Sequence, residues 1–343
     1  MIWAPLLLAD PSPNLRLLVF RELLGRTSDD QEVRELEGLR DEDPIVQDLL
    51  GHQEEDGSWK SAGTEKDPWH RIYPTSQALL RLGFLGFGPE HRSVQRGAEH
   101  LFQHQLQDGS WPLPGSKEER ELGNGYSMIP LQTAMPLRAL AAVGYATDDH
   151  AERAYEWLLD RRLPEGAWPS GIAGGVQVFP GGYRRLAHSR YGCRTNTSLA
   201  VSALALHPVQ CTGPAAQRGL DLLLAHETQQ ASSMGFEVAR TIGAERARGF
   251  FTYFARYDVA FILDLCWRIG ASVEDARVAD MAGFVRELQG PYGLWQYTSH
   301  PEVSRWVSFD LVRSLSRLDE QSDWVSLEPR TPFQPYPKRP RRY

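Results

Sequence analysis

The segment Gln53-Glu54-Glu55-Asp56-Gly57-Ser58-Trp59 returns as Gln105-Leu106-Gln107-Asp108-Gly109-Ser110-Trp111. A shorter copy, Glu165-Gly166-Ala167-Trp168, follows; Met234-Gly235-Phe236 reads as a degenerate one and Tyr292-Gly293-Leu294-Trp295 as another. The aromatic positions 59, 111, 168, 236 and 295 are separated by the length of one helical hairpin plus its loops. An apolar stripe at helical spacing precedes the turns: Val94, Ala98, Leu101 and Phe102 before the second, Leu220, Leu223 and Leu224 before the fourth. A helix therefore ends at each turn. Glycine there permits a positive φ, and the tryptophan two positions on folds back as a large apolar plug.

After each turn comes a more apolar helix, as in 131–143, 199–206 and 250–269. Helices apolar nearly all round are buried. Each unit thus reads as an outer amphipathic helix, a glycine-tryptophan corner and an inner buried helix. With an irregular opening unit over 15–39 there are about six hairpins, enough to curl into a closed ring. The expected fold is all-α, an (α/α)6 toroid, with an open superhelical stack as the alternative. Residues 1–43 are expected to be an N-terminal helical segment joined to the barrel, 44–318 the toroid, and 319–343 a Pro-rich basic tail.

The chain has 343 residues, 41% of them hydrophobic and 24% charged. That composition excludes a disordered, collagen-like or membrane-spanning chain. Cys193, Cys211 and Cys266 are widely spaced, which favours reduced thiols over a disulfide framework. The stretch 1–9 lacks a basic n-region and a cleavage site, so the cytoplasm is the expected compartment. Net charge is −7, and the basic residues beside Pro332, Pro335, Pro337 and Pro340 leave a still more acidic body that repels nucleic acid. Nucleic acid is not an expected partner, while peripheral membrane contact and the oligomeric state stay open.

The run Arg96-Gly97-Ala98, Leu101-Phe102, Gln105 and Asp108-Gly109-Ser110-Trp111 resembles the QW motif of the squalene-hopene cyclase, terpene cyclase and protein prenyltransferase β-subunit superfamily. The similarity covers roughly 44–318 and extends to bacterial squalene-cyclase-like proteins through 256–259 and 304–307. It implies an α/α toroid whose inner helices enclose a large apolar cavity. It also implies that Gln53, Trp59, Gln105 and Trp111 brace adjacent outer helices and take no part in chemistry.

The resemblance brings catalytic signatures to test. The Asp-x-Asp-Asp motif of class II cyclases has no match, since Thr27-Ser28-Asp29-Asp30 and Ala146-Thr147-Asp148-Asp149 lack the first aspartate. Protonating a hydrocarbon needs an unusually strong acid, so squalene cyclisation loses support. Asp148-Asp149-His150-Ala151-Glu152 resembles a magnesium-binding cluster but is read as a helix cap. The prenyltransferase zinc set meets Ala260 at its second position; Asp264, Cys266 and His300 are the alternative ligands, and no cofactor is the expectation.

Asp258 stands in an otherwise apolar inner segment, where a carboxylate is paired, protonated or functional. His188-Ser189-Arg190-Tyr191-Gly192-Cys193-Arg194 is the densest reactive run: its cations favour an anionic ligand or a nucleophilic Cys193. The plain reading makes Cys193 a core residue and pairs Arg190 and Arg194 with Asp258 or Asp310. Nucleotide and serine-hydrolase motifs are absent from the sequence.

The expectation is therefore a terpene cyclase-like or prenyltransferase-like protein that acts on, or binds, an isoprenoid or lipid-like molecule in a central apolar cavity. Asp258, Tyr257 and Cys193 are the expected catalytic groups. His70, Tyr73, Tyr126, Arg190, Arg194, Arg305 and Trp306 are the expected substrate contacts. Tyr257 and Trp306 would stabilise positive charge through their ring faces. The competing readings are a non-catalytic lipid- or partner-binding scaffold and a carbohydrate-active α/α barrel with facing carboxylates.

Overall fold

The computed structural model describes residues 3–60, 69–113, 125–180, 183–225, 233–245 and 258–320. Its helices are α1 (Ala4–Leu8), α2 (Pro13–Leu18, continued by a π-turn over Val19–Leu23), α3 (Gln31–Leu39), α4 (Pro44–Gly51), α5 (Trp69–Phe84), α6 (Arg92–Gln103) and α7 (Leu131–Ala142). Then come α8 (Asp149–Asp160), α9 (Arg194–Leu204), α10 (Pro214–Leu224), α11 (Phe236–Thr241), α12 (Val259–Ile269), α13 (Ala276–Glu287) and α14 (Ser304–Glu320). A two-residue antiparallel hairpin, β1 (Ile172–Ala173) with β2 (Val176–Gln177), interrupts the α8–α9 connection. The fold is all-α. No described helix is long and apolar enough to cross a membrane.

The two helix classes follow the sequence pattern. α7 buries nearly every residue from Leu131 to Ala141, and α9 buries every residue from Thr195 to Leu204. α6 and α8 bury one face each, Val94, Gly97, Ala98 and Leu101 in the first and Ala151, Ala154, Tyr155 and Leu158 in the second. The polar remainder of each outer helix faces water. The acidic run at 148–152 caps α8 as expected: Asp148 accepts from the His150 N–H at 2.9 Å.

At each corner the indole N–H donates to the carbonyl ten residues earlier. Trp59 reaches Leu49 at 2.7 Å, Trp111 reaches Leu101 at 2.8 Å, Trp168 reaches Leu158 at 2.7 Å and Trp295 reaches Val285 at 2.7 Å. The donor thus adds a second bond to a carbonyl in the last turn of the outer helix, which otherwise accepts only the tightened N–H three residues on, while the ring is buried. Burying 150–250 Å² of indole contributes on the order of 4 to 6 kcal/mol per corner as an upper figure.

The glutamine locks one hairpin to the next. Gln53 Nε2 donates to Gly57 O and to Ser93 O, both at 2.9 Å, and Gln105 Nε2 donates to Gly109 O at 2.9 Å and His150 O at 2.8 Å. Ser93 and His150 open the following outer helices. Gly109 has φ +88°, and a Cβ on it would stand 2.4 Å from the Arg153 carbonyl oxygen of α8, so only glycine lets the two backbones approach.

The inner helices pack in succession, α5 on α7, α7 on α9 and α12 on α14, with α10 between α9 and α12. α14 then packs on the π-turn of the opening segment. Two ion pairs hold that closure: Arg305 Nη1 to Asp10 Oδ2 and Arg313 Nη1 to Glu22 Oε2, each 3.2 Å.

The Met234-Gly235-Phe236 copy departs from expectation. Gly235 is not an outer corner but the left-handed N-cap of α11, which packs against α5, α12 and α14 inside the ring. A Cβ there would meet Val307 Cγ2 of α14 at 2.7 Å. The inner helix expected over 250–269 is observed from Val259; its first part, with Tyr257, and the 321–343 part of the tail lie outside the described residues.

Candidate functional site: a charged axial chamber

The inner helices converge, by their C-terminal halves, on a chamber of about 270 Å³. The π-turn contributes Glu22, α5 Phe84, α7 Arg138, α9 Ser202, α12 Phe261, Asp264, Trp267 and Arg268, and α14 Asp310 and Arg313. α11 supplies Glu237 and Thr241. Helical spacing explains the grouping: 264, 267 and 268 lie on one face of α12, and 310 and 313 on one face of α14.

This corrects the expected apolar cavity. The insertion of α11 fills the axis, and the space left is walled by ion pairs as much as by rings. Arg313 is the hub. Its Nη2 donates to Asp310 Oδ1 at 2.5 Å and to Asp264 Oδ1 at 3.4 Å, while its Nη1 holds Glu22. Arg268 Nε donates to Asp264 Oδ2 at 2.8 Å. The Arg313 guanidinium also lies near the rings of Phe309 at 5.2 Å, Phe84 at 6.0 Å and Trp267 at 6.0 Å.

The electrostatics split the two aspartates. Burial pushes the Asp310 carboxyl upward, and the Asp264 charge adds to the rise, against the pull of Arg313. Burial acts upward on Asp264 too, but Arg268 and Arg313 outweigh it and hold that carboxyl below its usual range. Burial would weaken the Arg313 base, yet Asp310, Glu22 and Asp264 together raise it. The pair therefore holds one acid that keeps its proton more readily and one that releases it.

Asp258 lies outside the chamber lining and has a different task. It is fully buried at the N-cap of α12 and accepts from the backbone N–H groups of Ala260 at 3.0 Å, Gly235 at 2.9 Å and Glu237 at 2.8 Å. Burial pushes its carboxyl up to about 7 even though three N–H donors favour the anion. Neither Arg190 nor Arg194 serves it in those bonds, and Asp310 takes Arg313, so the pairing expected across the barrel is replaced.

The described substrate contacts expected from sequence lie toward the opposite ends of the inner helices, and none lines the chamber. His70 is half-buried, and Tyr73 is buried with its hydroxyl accepting from Gln77 Nε2 at 2.9 Å. Tyr126 is half-buried. Arg190 is exposed and stacks 5.1 Å over Tyr191; Arg194 is half-buried in the first turn of α9. Cys193 is buried at the N-cap of α9, its N–H donating to Trp168 O at 2.9 Å. Arg305 is spent on Asp10, and Trp306 is buried 6.0 Å from Phe84.

The alternative zinc ligands are not gathered. Asp264 belongs to the arginine network, Cys266 is fully buried with its thiol pushed up by desolvation, and His300 lies 3.3 Å from Glu302. Among the described residues no three His, Cys, Asp or Glu side chains form a group that would hold a metal ion.

Sequence reasoning missed Arg138, Arg313 and Glu237. Arg138 carried a signal, as the one charge in the otherwise uncharged run 131–142. Glu237 carried none, because nothing local shows that a short helix will be threaded into the axis.

The family model of the squalene-hopene cyclase C-terminal domain matches residues 22–192. Lanosterol synthase from Candida albicans is 30% identical over 118 residues, covering 33% of this chain and 15% of that protein. Squalene–hopene cyclase from Zymomonas mobilis is 30% identical over 141 residues, covering 40% of this chain and 20% of that protein. The similarity thus spans a fifth or less of those relatives' length. Among solved structures, a protein from Actinoplanes is 18% identical with TM-score 0.43, covering 90% of each chain. A variant of the type II terpene cyclase MstE from Scytonema, in complex with its substrate geranylgeranyl dihydroxybenzoate, is 14% identical with TM-score 0.34, covering 80% of this chain and 95% of that one. Corner repeats, ringed inner helices and the matched family model together make this chain a member of the terpene cyclase superfamily.

Proposed function

We propose that the protein binds a compact isoprenoid or lipid-like molecule in the axial chamber, the hydrocarbon against Phe84, Phe261 and Trp267 and the polar end toward the charged wall. The observation that carries this reading is the chamber itself: a half-open space where the inner helices converge, lined by aromatic rings interleaved with a charged network. Its 270 Å³ falls just under the range of about 300–1,000 Å³ of ligand pockets, which favours a ligand near ten carbons over a thirty-carbon one.

Titration calorimetry of the full chain with geraniol and, in detergent-matched buffer, squalene tests the reading. Saturable one-to-one binding of geraniol, lost in Leu206→Trp with unchanged circular dichroism, is the expected result. Squalene binding with geraniol ignored would overturn the size argument.

One observation favours chemistry as well as binding: Asp310 is pushed toward the protonated form beside an ionised Asp264. Two carboxyls pushed apart in this way suit acid–base work near neutrality. A carboxyl raised above its usual range is too weak an acid for an unactivated alkene, so the chemistry would be proton transfer at a heteroatom or activated carbon. Conversion lost in Asp310→Asn with binding retained supports an enzyme. Binding without conversion in either protein supports the scaffold.

A further inference from the structure

Every acid facing the chamber has a cation against it. Arg313 takes Asp310, Asp264 and Glu22; Arg268 shares Asp264; and Arg240 Nη1 lies 3.4 Å from Glu237 Oε1. The wall hydroxyls are spent too, Ser202 on Leu199 O at 2.8 Å and Thr241 on Glu237 O at 2.8 Å. Arg138 differs. Its guanidinium is half-buried 5.3 Å over the Phe261 ring, and among the described residues no carboxylate, carbonyl or hydroxyl accepts from it. It borders the chamber on one side and, on the other, a small recess lined by Ser76, Gln77 and Met135.

We infer that Arg138 is the head-group site of the chamber and that the ligand is a monoanionic apolar acid, its carboxylate held by the guanidinium fork. This rests on the chamber's being a ligand site and adds the chemical class. A planar fork of donors matches a carboxylate in two parallel hydrogen bonds. Charge counting selects a single negative charge. One guanidinium has no hydrogen-bond acceptor among the described residues, its charge acting on Asp264 only through space, while Asp310, Glu22 and Glu237 stand around the same chamber, so a diphosphate would meet repulsion that this one cation does not offset. Phe261, under the guanidinium, fixes its plane and leaves the hydrocarbon of the ligand to run toward Phe84 and Trp267.

The test uses the full chain with geranic acid, geraniol and decanoic acid, measured by titration calorimetry at pH 7.5. Geranic acid is expected to bind about tenfold or more tighter than geraniol, as charge-assisted hydrogen bonds to a half-buried guanidinium dictate. Arg138→Gln is expected to erase that preference, and Arg138→Lys to restore part of it; circular dichroism checks folding of both. Equal binding of acid and alcohol, or a preference that survives Arg138→Gln, overturns the head-group assignment and leaves the isoprenoid reading standing. Arg138-dependent binding of decanoic acid with geranic acid and geraniol both refused upholds the head-group site and overturns the isoprenoid reading. Failure of all three ligands overturns both.

Discussion

The carboxylate of Asp258 and the backbone N–H of Gly235 are joined by a 2.9 Å hydrogen bond that fastens the inserted helix α11 to the start of inner helix α12. The same carboxylate takes the N–H groups of Glu237 and Ala260, so one side chain caps two helices. A residue that looked like a buried acid awaiting a reaction is the peg that holds the axial plug.

That geometry sets a pH dependence. The Asp258 carboxyl is raised from 3.8 to about 7 in the folded chain, so between those values the native state holds a proton the unfolded chain has released. Stability therefore falls as pH rises from about 4 to about 7, by up to roughly 4 kcal/mol from this group. Asp258→Asn is expected to flatten that slope in urea denaturation curves. At pH 4.5 it costs about 1–3 kcal/mol, because the amide turns a donor toward one of the three N–H groups. An unchanged slope in the variant would show that other groups set the pH response.

Gly235 gives a second test. It has φ +85°, and an added Cβ would lie 2.7 Å from Val307, so Gly235→Ala combines backbone strain with a clash. A loss of about 2–4 kcal/mol is expected. Gly38→Ala, in α3 with open space around the new methyl, is expected to stabilise by about 0.5–1 kcal/mol. Thermal denaturation of the two variants side by side decides the point.

The corner hydrogen bond is separable from the corner's bulk. Trp111→Phe keeps a ring but abandons the 2.8 Å bond to Leu101 O, and about 1–3 kcal/mol is expected to go with it. Trp111→Ala leaves a cavity at a fully buried site and is expected to cost about 3–5 kcal/mol. No loss in Trp111→Phe by chemical denaturation would mean that the hydrogen bond contributes nothing.

Arg313 holds three carboxylates, so Arg313→Met is expected to cost about 3–5 kcal/mol at pH 7.5 by leaving buried charge unpaired. Lowering the pH protonates Asp310 and Asp264 and is expected to return part of the loss. Combining Arg313→Met with Asp310→Asn is expected to return part of it at pH 7.5. Destabilisation independent of pH, with no rescue by the second substitution, would contradict the network.

The architecture was legible because it is written in local, repeated terms. Gln105, Gly109 and Trp111 each act within a few residues of the helix end they complete, and the contrast between a one-faced helix such as 92–103 and an all-round apolar one such as 131–142 is a matter of periodicity. The site was legible only in fragments. Asp264 and Asp310 were visible as acids but were read as a metal ligand and a remote pairing partner. Arg138 is the lone charge of the run 131–142, but nothing local to that helix says which space it faces.

What the sequence by itself determined is the helical hairpin, its corner and the sorting of helices into inner and outer, since each depends on spacing within one element. Which end of the ring holds the chamber, and which charges meet there, was decided only by the tertiary structure. Glu22, Arg138, Glu237, Asp264 and Arg313 are brought together by ring closure and by a six-residue helix threaded through the axis. Charge pairing in a desolvated space depends on distance in three dimensions, which spacing along the chain does not carry.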